Sequence, residues 1–210
     1  MNSGMIVKVC GMRQPQNIKA VEETGPDWMG FICWEGSKRN VATTPSYLPI
    51  RCHRVGVFVN PSIDFIIQRA SELRLNYIQL HGNETPNFCI QVHQATSLPI
   101  IKAISINTEF DIAQSMPYCD TEEIEYLLFD TKCTSVGGSG EQFDWDVLQA
   151  YDRQKPFLLS GGIGPDDAKR VKEFNHPRCI GIDINSRFET APAMKDVEAI
   201  QQFIHEIRNP

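Results

Sequence analysis

The sequence predicts an α/β fold, a single-domain (β/α)8 TIM barrel spanning residues 1–210. Three observations carry that expectation. Apolar, β-type runs recur eight times along the chain. The segments between them carry helical start and stop signals, and strict alternation of this kind makes a parallel sheet covered by helices. A length of 210 residues also lies near the lower limit of about 200 for eight such units in a closed barrel. A doubly wound open sheet is the alternative, because counting strands does not establish closure.

Taken in order, the first strand falls near residues 5–9. Pro15 then suits the first turn of a helix, and Gly25 suits the position just past its end. The second strand is placed at 28–32; the unit after it, 41–52, contains Pro45 and Pro49, so its helix is expected to be short or distorted. The third strand is placed at 54–59. After Asn60-Pro61, Ile63, Ile66, Ile67 and Ala70 form one apolar helical stripe. The fourth strand is at 77–80, and Thr85-Pro86 opens the next helix. Strands five to seven are placed at 100–104, 126–129 and 157–159. Gly164-Pro165 opens a helix with Ala168, Val171 and Phe174 at i+3 steps. The eighth strand is at 179–182. Asp196 then caps a final helix whose face carries Val197, Ile200, Phe203, Ile204 and Ile207. No linker, low-complexity segment or second domain interrupts the pattern.

Composition narrows the function. The formal net charge of -6 leaves no overall electrostatic footprint for nucleic acid or an anionic membrane. A hydrophobic fraction of 41% with 22% charged residues is that of a folded globular chain. The start, Met1 to Val7, lacks the basic and apolar regions of a signal peptide, and no apolar run approaches the roughly 20 residues that span a bilayer. A cytoplasmic protein is expected, with free thiols at its seven cysteines. Cys89 and His93 have ligand-like spacing, but no Cys-x-x-Cys pair exists and no metal is expected. A monomer is expected, since no exposed apolar stripe is evident.

Barrels of this kind carry their chemistry at the C-terminal ends of the strands. Side chains alternate along a strand, so residues i and i+2 share a face. That rule groups Lys8 with Cys10, Gln79 with His81, Leu128 with Asp130, and Asp183 with Asn185. Four strands therefore end in polar or reactive groups where apolar packing stops. Ser160-Gly161-Gly162-Ile163-Gly164-Pro165 after the seventh strand, and Asn185-Ser186 after the eighth, read as a phosphate cradle. Each feature also has a plain structural reading. Cys10 can be a small buried hydrophobe, His81 a hydrogen-bonded structural residue, and Asp130 a turn cap. Lys8 and Lys102 can snorkel to the rim, and Gly161-Gly162 can be a tight connection.

Lys8-Val9-Cys10-Gly11-Met12 resembles the opening signature of phosphoribosylanthranilate isomerases, usually Lys-Ile-Cys-Gly-Ile/Leu. Val55-Gly56-Val57-Phe58-Val59-Asn60 and Gln79-Leu80-His81-Gly82-Asn83-Glu84 are similar to its third- and fourth-strand motifs. Phe129-Asp130-Thr131, Gly137-Gly138-Ser139-Gly140 and Phe143-Asp144-Trp145 are similar to the sixth strand and its loop. Ser160-Gly161-Gly162-Ile163, Gly181-Ile182-Asp183-Ile184-Asn185-Ser186 and Lys195-Asp196 complete the likeness over essentially the whole chain.

The resemblance implies an enzyme of tryptophan biosynthesis that works without metal or cofactor. Its reaction is the Amadori rearrangement of N-(5-phosphoribosyl)anthranilate to the 1-deoxyribulose 5-phosphate ketose. By position, the resemblance makes Cys10 the general base and Asp130 the general acid. Arg39, His81 and Asp183 become substrate contacts, with the phosphate on Gly161, Gly162, Asn185 and Ser186. A thiol of ordinary pKa is only a few per cent thiolate at neutral pH, so Cys10 is expected to be depressed, with Lys8 as the cause. Partial burial is expected to raise Asp130 so that it can act as an acid. Three departures stand out. Glu35-Gly36-Ser37-Lys38-Arg39 lacks the family's proline-rich look, which leaves Lys38 as a substitute for Arg39. Glu141 stands where Lys, Arg or Thr is frequent. Arg187 replaces a usual glycine, and either adds a cation for phosphate or shifts the turn. The alternatives are another phosphosugar barrel isomerase or epimerase, and a non-catalytic phosphosugar-binding barrel.

Overall fold

The computed structural model describes residues 4–106, 108–131 and 145–209. Eight parallel strands close on themselves in chain order: β1 (Ile6–Val9), β2 (Trp28–Ile32), β3 (His53–Phe58), β4 (Tyr77–Leu80), β5 (Ile100–Ile106), β6 (Ile124–Thr131), β7 (Phe157–Ser160) and β8 (Cys179–Ile184). β1 closes the ring by pairing with β8, in the register Lys8↔Asp183. The open-sheet alternative is thereby excluded, and every expected strand lies within two residues of its place.

The helices follow the local signals. α1 (Pro15–Glu23) starts on its proline, and Gly25 beyond it takes φ +82°, a conformation glycine adopts without strain. α2 (Ile63–Glu72) is capped by Ser62, whose side chain accepts from Phe65 N. α3 (Pro86–Thr96) is capped by Thr85 in the same way through Phe88 N. Between β5 and β6 the described residues form two short helices, α4 (Glu109–Ile112) and α5 (Met116–Cys119), joined by a 3-10 turn. A 3-10 turn precedes α6 (Ala168–Glu173). β8 leads into a 3-10 turn, Ser186–Phe188, and then a hairpin of β9 (Glu189–Ala191) and β10 (Met194–Lys195) that the sequence reading lacked. α7 (Val197–Arg208) closes the chain, with Asp196 accepting from Ala199 N.

Two expectations need correction. No helix forms between β2 and β3. Prolines at 45 and 49 lack the N–H groups a helix needs, and the Glu22 carboxylate holds the loop instead. It accepts from Ile50 N at 2.6 Å, from Arg51 N, and from the Tyr47 hydroxyl. On α2, Ile66 is fully buried but Ile67 is 41% exposed, so the apolar stripe is narrower than its four residues suggest.

The core has two layers. Cys10, Trp28, Val55, Val57, Ile101, Ala103, Leu128 and Leu158 fill the barrel interior. The opposite parity of each strand, through residues such as Phe31, Phe58, Phe129 and Ile182, meets helix residues such as Phe203. At the strand starts the interior is stoppered by Trp28, whose ring stacks on Tyr77 at 4.7 Å and meets Tyr126 at 5.5 Å. Polar groups can therefore reach the interior only from the other end. Lys102 points into the outer layer, where its ammonium donates to Glu84 at 3.0 Å and to the carbonyls of Leu80, Gly82 and Ala103. It is 1% exposed and Lys8 is not exposed at all, so neither snorkels to the rim. Among the described residues no helix is long and apolar enough to cross a membrane.

Candidate active site

Where the strands end, a cavity of about 270 Å³ opens at the barrel mouth. Cys10, Gln79, His81, Asp130, Asp183, Asn185 and Ser186 line it together with the turn Ser160 to Ile163. Larger hollows of about 690 and 890 Å³ lie at the strand starts and beside α2, but neither touches Cys10, Asp130 or that turn. Eight of the nine expected site residues thus share one cavity. Arg39 stands outside its lining.

β1 and β8 supply a buried ion pair. Lys8 and Asp183 are cross-strand neighbours, and Lys8 Nζ donates to Asp183 Oδ1 at 2.8 Å with almost no solvent at either end. Burial opposes the lysine charge, but Asp183 and Cys10 outweigh it and hold the ammonium above its usual range. Cys10 follows β1, and its backbone N–H donates to Ile184 O at 2.9 Å. Its thiol is wedged against Gly30 of β2, where a Cβ would stand 2.7 Å from Sγ. Burial pushes this thiol above the ordinary value; the Lys8 and Lys195 ammonium groups pull it back, and Asp183 adds to the rise. The expected depression of Cys10 is therefore overturned. The Lys8 attraction exists, but desolvation in a packed barrel is larger.

Across the mouth, Gln79 Nε2 lies 2.9 Å from His81 Nδ1, and His81 Nε2 lies 3.2 Å from Asp130 Oδ2. With the amide donating, the imidazole proton sits on Nε2 and points at Asp130. In that orientation Gln79 Oε1 is buried without a hydrogen-bond partner among the described residues. Turning the amide lets Oε1 accept from Nδ1–H and leaves Nε2 to accept from a protonated Asp130. The chain of three groups accommodates both protonation states that an acid passes through.

The turn after β7 has Gly161 at φ +100° and Gly162 at φ +68°, both in the region where a Cβ is strained. Nothing lies within 4 Å of a Cβ built on Gly162, so backbone conformation rather than space dictates glycine there. Arg187 reaches over this turn and donates through Nη1 to Gly162 O at 2.7 Å.

Arg39 belongs to a charged network the sequence reading missed. Its Nε donates to both oxygens of Glu189 at 2.8 and 3.0 Å, and its Nη2 to Oε2 at 2.6 Å. Lys195 Nζ donates to Glu189 at 2.7 Å and to the side chain and backbone oxygens of Asn185 at 2.7 and 3.1 Å. Burial works against the Glu189 charge, yet Arg39 and Lys195 hold its carboxyl below the ordinary range. The Arg39 stem crosses Gly11, where a Cβ would come within 2.8 Å of Cδ and 2.7 Å of Asn185 Oδ1. The Arg39–Glu189 pairing carries no local signal, because the two residues lie 150 positions apart. Lys195 was visible only as the start of a helix. Cys133, Glu141, the glycine-rich stretch 137–140 and Phe143-Asp144 lie outside the described residues. The six other cysteines are free thiols.

Comparisons with known proteins follow the same outline. The model of the family described as N-(5'-phosphoribosyl)anthranilate (PRA) isomerase matches residues 7–206. A protein of that name from Phocaeicola vulgatus is 49% identical, over 97% of this chain and 98% of its own. Another from Parabacteroides distasonis is 44% identical, over 98% and 95%. Among solved structures, the phosphoribosylanthranilate isomerase of Thermotoga maritima superposes with a TM-score of 0.83 at 31% identity, covering 97% of this chain and 98% of that one. A phosphoribosylanthranilate isomerase in complex with reduced 1-(o-carboxyphenylamino)-1-deoxyribulose 5-phosphate gives 0.81 at 29%, with the same coverage.

Proposed function

The chain belongs to the N-(5'-phosphoribosyl)anthranilate isomerase family and is an aldose–ketose isomerase of tryptophan biosynthesis; from that premise we propose that Cys10 is its general base and Asp130 its general acid. The observation that carries the assignment is that a thiol and a carboxyl line one cavity with the glycine turn after β7. The phosphate rests on Gly161, Gly162, Asn185 and Ser186, which fixes the ribose between the two reacting groups.

Asp130 gives a proton to the furanose ring oxygen as the bond from that oxygen to C1 breaks, and the anthranilate nitrogen pair closes to a C1 iminium. The Cys10 thiolate removes the C2 proton, and the electrons of that bond neutralise the iminium to give an enolamine. Proton return to C1 and loss of the C2 hydroxyl proton yield the ketone. Because burial holds the thiol high, few Cys10 groups are ionised at neutral pH, but each thiolate is a correspondingly stronger base. His81 holds Asp130 through Nε2, and Gln79 fixes the ring. Asp183 gives one oxygen to Lys8 and has Oδ2 for a substrate hydroxyl. Arg39 faces the anthranilate carboxylate with Nη1, since Glu189 occupies Nε and Nη2.

The test is the loss of fluorescence of freshly made phosphoribosylanthranilate in a metal chelator, with wild type, Cys10→Ser and Asp130→Asn. Fast decay with wild type and near-abolished decay with both variants is the expected result. Turnover that survives both substitutions refutes the assignment while leaving the family untouched.

A further inference from the structure

We propose that Arg187 is a phosphate-binding residue of this chain, supplying the cationic charge of the cavity; this rests on reading the turn after β7 as the phosphate cradle. Charge makes the case. Two carboxyl groups, Asp130 and Asp183, line the cavity beside the Cys10 thiol. Lys8 offsets Asp183 but is fully buried and forms no part of the lining. Arg39 and Lys195 also stand outside it. Among the described residues that line the cavity, Arg187 is the single side chain with a permanent positive charge. A phosphate monoester enters with close to two negative charges at neutral pH, its second pKa being about 6. Backbone N–H groups alone would leave that double charge with no permanent cation among the described residues of the lining.

The geometry suits the role. Nη1 is anchored on Gly162 O at 2.7 Å, which holds the guanidinium over the turn. A Cβ on Gly164 would stand 2.9 Å from Nε, so the side chain lies against the turn backbone. Among the described residues the nearest carboxylate oxygen, Asp167 Oδ2, is 3.8 Å from Nη1, beyond hydrogen-bond distance, and accepts from Gly164 N at 2.7 Å. Nε and Nη2 take no partner among the described residues, and the side chain is half exposed. An anchored guanidinium with two donors to spare matches the planar, two-oxygen recognition of phosphate. Of the two roles the sequence left open for this residue, cation or turn-former, the first accounts for both the anchoring and the spare donors.

Arg187→Gln keeps a donor for Gly162 O and removes the charge, Arg187→Lys keeps the charge, and Arg187→Gly removes both. With Gln, KM for phosphoribosylanthranilate and the inhibition constant of inorganic phosphate both rise about five- to ten-fold, while kcat stays within about two-fold. Lys, which keeps the charge but not the planar fork, recovers only part of the loss. A Gln variant equal to wild type, or a Gly variant that loses kcat along with KM and is not rescued by Lys, overturns the proposal in favour of turn shape. If phosphate competes equally with wild type and Gln, Arg187 alone is wrongly assigned. If phosphate fails to compete with wild type, the cradle itself is wrong and the proposal falls with it.

Discussion

Removing the Glu189 carboxylate is the perturbation whose consequences the structure specifies most fully. That side chain is 5% exposed and accepts from Arg39, from Lys195 and from Ala193 N at 3.2 Å. In Glu189→Ala the Lys195 ammonium, with no solvent exposure, keeps only the neutral oxygens of Asn185. Breaking a buried pair from one side costs about 3–5 kcal/mol, because the remaining charge stays desolvated. In a domain of about 150–250 residues each kcal/mol lowers Tm by about 2–4 °C, so the expected fall is about 6–20 °C. The double variant Glu189→Met with Lys195→Met removes both charges, and most of that stability returns. Catalysis separates from stability here: Arg39 loses its anchor in both variants, so KM stays raised in the double variant after Tm has recovered. Thermal denaturation by circular dichroism and steady-state kinetics read the two effects. The Glu189 carboxyl is held below its ordinary 4.5, so its contribution is complete above that pH and is lost as pH falls through the lowered folded value. Melting curves of wild type and Glu189→Gln therefore converge only in acid. A single variant melting within about 2 °C of wild type, or a double variant no more stable than the single, refutes the reasoning.

Two other substitutions probe the base. Lys8→Met leaves Asp183 buried without its cation, so stability falls by about 3–5 kcal/mol, and the Cys10 titration midpoint moves further up. Alkylation rate against pH reads that midpoint, and an unmoved one shows that Lys8 does not attract the thiolate. Gly30→Ala places a Cβ 2.7 Å from Cys10 Sγ and 3.1 Å from its Cα, so the thiol must move. Stability falls by about 1–3 kcal/mol from overpacking and kcat falls more steeply than KM changes; a kcat near that of wild type means the thiol position does not limit turnover.

Much of the barrel was legible because its signals are local. Pro15, Pro86 and Asp196 act on the turn that follows them, and period-two runs such as Tyr77–Leu80 need only their own residues. The strand-end rule placed Cys10, His81, Asp130 and Asp183 around one cavity because parity in a closed barrel decides which side chains face inward. What escaped depends on distant partners. Glu22 holds a loop about 28 residues away, and Glu189 holds Arg39 from 150 positions away. Lys8 and Lys102 read as rim residues until Asp183 and Glu84, on other segments, account for their burial. The direction of the Cys10 shift is of the same kind: Lys8 two residues back was visible, but the desolvation that exceeds its pull comes from the packed interior.

The most direct single measurement follows kcat/KM against pH in wild type alongside the alkylation rate of Cys10, read by mass spectrometry. A base that must ionise makes the rate climb with pH, and burial places the climb above the ordinary thiol value of 9.0. If the Cys10 thiolate takes the C2 proton, the two curves rise with a common midpoint on that alkaline side. An activity that is flat through the range where Cys10 ionises, or that rises with a different midpoint, contradicts it.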